Sequence, residues 1–258
     1  QRSGANTHFI GAVGDDAAGK TMLDLLTQEK INLAGITKMT NQSTGQAYVT
    51  VDDAGENQIM IHGGANMAFT PADVEAHRDI IETSDFVVAQ FESAVDSTVE
   101  AFKIAQAAGV RTILNPAPAM EKVPAELLAV TDMIVPNETE TETLTGIAIT
   151  DEASMLKASA ALHALGISAV IITIGSKGAF YDIDGRHGIV PAFKVEAVDT
   201  TSAGDTFIGA MSSVLNKDFS NLEDAIRYGN RASSIAVQRF GAQPSIPYKN
   251  EITAAEGK

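Results

Sequence analysis

The chain has 258 residues, 45% hydrophobic and 20% charged, with no cysteine and a formal net charge of −15 from 33 acidic and 18 basic side chains. That length and composition fit one compact α/β domain that buries a large core without covalent staples. Disulfides, thiolate metal sites and a cysteine nucleophile are excluded, and the acidic surface repels polyphosphate backbones and anionic lipid, so no nucleic acid and no membrane partner is expected.

The first predicted strand, THFIGAV at 7–13, leads into GDDAAGKT at 14–21 and a predicted helix over 22–30. The octapeptide matches the G-x-x-x-x-G-K-[ST] pattern of a phosphate-binding loop, in the strand–loop–helix setting such a loop requires. Its chemistry argues the other way. Asp15 and Asp16 lie inside the loop, and one carboxylate facing one phosphate charge at about 6 Å costs roughly 3 kcal/mol at an effective dielectric of about 20. No predicted strand ends in the Asp that would hold Mg²⁺ opposite such a loop. Asp15 or Asp16 as the cap of the following helix is the simpler reading, with a P-loop NTPase acting through Lys20 as the alternative.

Residues 45–61, GQAYVTVDDAGENQIMI, hold two alternating runs around Asp53-Ala54-Gly55, the signature of a β-hairpin that projects as an edge or lid. FVVAQ (86–90), TIL (112–114), MIV (133–135) and AVIITI (169–174) are continuous apolar runs, as in parallel strands covered on both faces. Predicted helices over 98–108, 138–144 and 154–165 alternate with them, and this βαβ rhythm predicts a layered α/β fold. A second hairpin over 180–190 turns at Asp184-Gly185. No linker or repeat interrupts the chain, which reads as one domain over 1–258. The longest apolar run is too short to span a bilayer, and the five histidines are scattered without a pair at ligand spacing.

Three strand-following turns carry candidate chemistry. VDTTSAGDTFIGA at 198–210 has small polar residues before Gly204, then Asp205 opening a helix over 206–215. The N–H groups of Ala203, Gly204 and Asp205 can converge as an anion hole at a helix N-terminus. Asp205 beside that hole is placed to take a proton from an attacking hydroxyl, the pair that a kinase needs. Asp205 as a plain helix cap fits the local pattern equally well. PNETE at 136–140 puts Asn137 and Glu140 three apart at the carboxyl end of a strand, which suits Mg²⁺ held partly through water; a solvated helix start is the alternative. IGSKG at 174–178 adds a glycine turn from which Lys177 can reach a phosphate.

DTTSAGDTFIGA (199–210) resembles the C-terminal signature of the ribokinase (PfkB) family of sugar kinases, and PNETE with LTG at 144–146 resembles its Mg²⁺-linked asparagine–glutamate motif. HGGAN (62–66), NPAPA (115–119) and GAQPSIP (241–247) resemble its ribose-phosphorylating branch, and the likeness covers essentially the whole chain. The resemblance implies a three-layer Rossmann-like α/β fold, a parallel sheet with helices on both faces and a small β lid, of which 45–61 is the residual hairpin. It implies ATP-dependent phosphorylation of D-ribose to D-ribose 5-phosphate in the cytoplasm, with Asp205 as base and Ala203 and Gly204 as anion hole. Asn137 and Glu140 would organise Mg²⁺ and the ATP phosphates, Ser176, Lys177 and Gly178 would border the nucleotide, Asn230 would line the adenine pocket, and Glu92 would contact the sugar. An activating monovalent cation, usually K⁺, would bind Asp199, Thr201, Ala236, Arg239, Gly241 and Ser245, largely through carbonyl oxygens.

The family pattern also has a first strand with an Asn-x-Asp sugar contact, two lid strands and a Gly-Gly-Lys-Gly-x-Asn clasp, and these have no counterpart in the 258 residues. The fold is therefore expected to be incomplete, the lid interface of the family homodimer compromised, and ribose activity low unless that segment is supplied. Another sugar kinase of the family, or a nucleotide-binding remnant without turnover, are the competing expectations.

Overall fold

The structure, a computed structural model, describes residues 1–51 and 57–255. In chain order its elements begin with β1 (His8–Gly14), α1 (Ala17–Gln28), β2 (Asn32–Met39), β3 (Gln46–Val51) and β4 (Asn57–His62). Three short helices follow, α2 (Ala65–Ala68), α3 (Pro71–Glu75) and α4 (Arg78–Glu82). Then come β5 (Phe86–Ala89), α5 (Val95–Ala107), β6 (Arg111–Leu114), α6 (Ala125–Leu128), β7 (Met133–Ile134), α7 (Glu138–Thr145) and α8 (Glu152–His163). The last part holds β8 (Ala169–Thr173), β9 (Ala179–Ile183), β10 (Arg186–Val190), α9 (Ala203–Val214), α10 (Leu222–Ala236) and α11 (Lys249–Ala255).

The central sheet has six strands in the order β10-β9-β8-β7-β6-β5. Strands β5 to β8 run parallel, while β9 and β10 form the antiparallel hairpin expected over 180–190. Strand β8 explains why the predicted runs are apolar throughout. Ala169 and Ile171 point into one cluster with Phe207, Met211 and Ile226 of α9 and α10, while Val170 and Ile172 point into the other with Phe102, Met155 and Leu162 of α5 and α8. A period of two on a sheet covered on both faces favours apolar residues at every position. Burying each such side chain is worth about 1.5–3 kcal/mol, so the two clusters anchor the carboxyl ends of β5 to β8. Strand β5 departs from this pattern, since Val88 is 46% exposed. The reason is its place at the end of the strand order, where cover is thinner.

Strands β1 and β2 pair with each other in parallel, as a ladder separate from the six-stranded sheet. Strands β3 and β4 form the antiparallel lid, whose expected turn at Asp53-Ala54-Gly55 lies outside the described residues. No helix among the described residues is long and apolar enough to cross a membrane.

Candidate active site

GDDAAGKT proves to be a helix start. Asp16 is the N-cap of α1, accepting from the Gly19 N–H at 2.8 Å and from the Thr44 N–H and hydroxyl at 2.8 and 2.6 Å. These bonds, led by the Thr44 hydroxyl, hold its carboxyl below the usual range. Asp15 pairs with Lys38 and Lys20 with Asp24, 2.5 Å away one turn on. Gly19 has no room for a side chain, because a Cβ would come within 2.3 Å of the Gly14 carbonyl. The loop is thus filled by its own carboxylate and tied to Thr44.

The second turn behaves differently. Helix α9 begins at Ala203, three residues before the expected start, and Ser202 is its N-cap in the left-handed conformation at φ 59°. Asp205 therefore lies inside the first turn and is not the cap, which removes the plain capping reading. Thr206 N–H makes the first bond of the helix, to the Ser202 carbonyl at 2.9 Å. Ala203 N–H is turned back to the Thr200 carbonyl at 3.2 Å. That corrects the expected hole: the N–H groups without a hydrogen bond among the described residues are those of Gly204 and Asp205. A Cβ on Gly204 would meet nothing within 4 Å. Two free donors, open space and the positive end of a 12-residue helix make an anion cradle.

Asp205 is open to solvent but hemmed in by protein, and that burial raises its pKa, with the charge of Glu92 pushing the same way and a bond from Ser202 opposing. Glu92 sits just past β5, its N–H bonded to the Gln90 side chain at 2.8 Å. Two of the short motifs bracket it. The Phe91 N–H donates to the Ala117 carbonyl of NPAPA at 2.8 Å, and the Ala94 N–H to the Asn66 carbonyl of HGGAN at 3.2 Å. The expected sugar contact and the expected base thus share one electrostatic neighbourhood.

Asn137 and Glu140 form a reciprocal capping box at the start of α7, with the Glu140 N–H donating to Asn137 Oδ1 and the Asn137 N–H to Glu140 Oε2, both at 2.8 Å. Asn137 Nδ2 also reaches Glu140 Oε1 at 2.9 Å. Glu140 is buried, against the solvated start considered above, and its pKa is raised first by that burial and then by the charge of Asp205. The charge of Glu92 thus acts on Asp205, and that of Asp205 on Glu140. Among the described residues no group of three or more His, Asp or Glu could hold a metal alone.

The turn at 174–178 splits. Ser176 and Lys177 are exposed, as a nucleotide border requires. Gly178 is not available: at φ 114° it packs on the exit of β10, where a Cβ would come within 2.1 Å of the Val190 carbonyl. Asn230, expected at the adenine pocket, is buried, and its amide donates to the carbonyls of Val190 and Pro191 at 3.0 and 3.2 Å. Its donors support the chain that borders the site.

Among the residues expected around a monovalent cation, hydrogen bonds join Asp199 to Thr201 and Gly241, and Arg239 to Ala236 and Ser245. Asp199 accepts from the N–H groups of Thr201 and Gly241, both at 2.9 Å, and bonds led by Thr201 keep its carboxyl ionised at a lowered pKa. The Ala236 carbonyl accepts from the Arg239 N–H at 3.0 Å, and the Ser245 carbonyl from the Arg239 guanidinium at 3.5 Å. Sequence reasoning missed Ser233, whose partner is thirty residues away, and the left-handed conformation of Ser202, which no local pattern announces.

A carboxylate of raised pKa beside a free helix N-terminus, at the carboxyl edge of a mostly parallel sheet, is the equipment of an α/β phosphotransferase acting on an alcohol. The profile of the pfkB family carbohydrate kinases matches residues 1–249. The chain belongs to that family and is a sugar kinase. It is 47% identical over 251 residues to a ribokinase of Staphylococcus aureus, covering 97% of this chain and 82% of that one. It is 49% identical over 251 residues to a bifunctional ribokinase/ribose-5-phosphate isomerase A of Fructilactobacillus sanfranciscensis, again over 97% of this chain but only 46% of the relative's length. The ribokinase of Arabidopsis thaliana, solved with ribose and ATP, superposes with a TM-score of 0.89 at 32% identity, over 96% of this chain and 81% of that one.

Proposed function

We propose that the chain transfers the terminal phosphoryl group of ATP to the primary hydroxyl of D-ribose, giving D-ribose 5-phosphate and ADP. The observation that carries this is the pair formed by the Asp205 carboxylate and the unbonded N–H groups of Gly204 and Asp205. Asp205 takes the hydroxyl proton as the sugar oxygen bonds to phosphorus and the bond to the leaving ADP oxygen breaks. The two N–H groups hold the charge on the phosphoryl oxygens, worth about 10²- to 10³-fold per donor in related oxyanion sites. Glu92 fixes a sugar hydroxyl near Asp205, and Ser176 and Lys177 border the nucleotide.

Mg²⁺ bound with ATP would supply neutralisation of the phosphate charge. Glu140 suits it as one outer partner through water, its carboxylate oriented by Asn137, with the remaining ligands drawn from phosphates and water. A monovalent cation such as K⁺ fits the ionised Asp199 among the main-chain carbonyls of 201–245, where it would stiffen the turn that carries the cradle. The exposed Tyr48 and Met60, paired across β3 and β4 on one face of the lid, support a homodimer through that face.

An ATP–ribose assay tests this reading, run on the 258-residue chain and on a version extended with a relative's N-terminal segment. The extension measures the expected need for a sugar clasp separately from the chemistry. Asp205→Asn should abolish turnover while Lys20→Ala leaves it; the reverse pattern, or no transfer in either form, contradicts the proposal.

A further inference from the structure

The connection from β10 to α9, residues 191–202, has no helix or strand of its own, yet it delivers the cradle. One face of α10 holds it. Asn230 and Ser233 recur at helical spacing and so lie one above another, and Val237 caps the end of the helix beyond them. The Asn230 amide holds the Val190 and Pro191 carbonyls. The Val237 carbonyl accepts from the N–H groups of Val198 and Asp199 at 2.7 and 3.1 Å. Between them, Ser233 Oγ donates to the Ala203 carbonyl at 2.7 Å. Arg231 adds its guanidinium 3.4 Å above the ring of Phe193, within the same connection. The helix can serve as a template because it lies hard against α9: a Cβ on Gly229 would come within 2.8 Å of the Phe207 ring.

The Ser233 bond has a particular consequence. The Ala203 carbonyl and the Gly204 N–H belong to one planar trans peptide unit and point in opposite directions. A hydroxyl that fixes the carbonyl from the α10 side fixes the direction of the N–H on the phosphate side, and it polarises the unit so that the N–H donates more strongly.

We propose that Ser233 is a positioning residue for phosphoryl transfer, aiming the Gly204 N–H at the transferring group through the Ala203–Gly204 peptide plane. The proposal rests on the function proposed above. Ser233→Ala should lower kcat about tenfold, the loss of roughly one hydrogen bond, with KM for ATP and ribose within about twofold. Ser233→Thr, which keeps the hydroxyl, should restore kcat. Ser234→Ala, whose own hydroxyl bonds only within α10 to the Arg231 carbonyl, should leave kcat unchanged. Parental kcat in Ser233→Ala, or a fall that Ser233→Thr fails to reverse, overturns the proposal. So does an equal fall in Ser234→Ala that tracks thermal stability. If no form turns over ribose, the proposed function fails, and Ser233 is judged by the amide ¹⁵N shift of Gly204: it should move in Ser233→Ala and not in Ser234→Ala, and an unmoved shift refutes the assignment.

Discussion

Gly204→Ala separates catalysis from stability more cleanly than any other substitution in the cradle. Gly204 is the second residue of α9, and a Cβ there meets no atom within 4 Å. The folded chain therefore accepts the methyl without strain, and replacing a helical glycine by alanine gains about 0.5–1 kcal/mol. That open space is also where phosphoryl oxygens must come within about 3 Å of the Gly204 N–H. A methyl beside the donor should cost about the value of one oxyanion contact, 10²- to 10³-fold in kcat. Gly178→Ala is the contrasting case, since φ 114° and a Cβ within 2.1 Å of the Val190 carbonyl make it incompatible with the fold. The assay pairs steady-state kinetics with thermal unfolding. Gly204→Ala should keep or raise the unfolding midpoint and lose turnover, whereas Gly178→Ala should lose both together. Parental kcat in Gly204→Ala would refute the cradle.

Other outcomes follow from the same geometry. Asp205 must be ionised to act as base, and burial and Glu92 raise its pKa, so kcat/KM should fall on acidification at a pH above the ordinary carboxylate range; Glu92→Gln should move that limb to lower pH. A pH profile that Glu92→Gln leaves in place would contradict their coupling. Asp16→Ala should lower the unfolding midpoint through the lost Gly19 and Thr44 bonds, while Lys20→Ala, which breaks only an exposed ion pair with Asp24, should change neither stability nor activity. Ile171→Ala, in fully buried β8, should cost about 2–5 kcal/mol by denaturant unfolding.

The strands β6 to β8 were legible because a sheet covered on both faces favours apolar runs, and the β9–β10 hairpin because Asp184-Gly185 marks its turn. Helix starts were harder. Asp16 and Asn137 announce themselves by side-chain caps, but α9 starts on a Ser202 whose left-handed backbone leaves no mark in the letters. The consequence was an anion hole that counted Ala203 beside Gly204 and Asp205, although the Ala203 N–H is turned back to the Thr200 carbonyl. GDDAAGKT was legible through its chemistry and not its pattern: the carboxylates inside it marked a helix cap, which Asp16 is. Asn230 and Ser233 depend on contacts across thirty or more residues, which spacing within one helix cannot reveal.

The most direct measurement is ³¹P NMR of ATP and D-ribose with the parent chain, its N-terminally extended form and Asp205→Asn of each. Appearance of ribose 5-phosphate and ADP in equal amounts, lost by about 10²- to 10⁴-fold in Asp205→Asn, is the predicted result. Transfer that survives in Asp205→Asn would contradict the assignment of the base and the cradle around it.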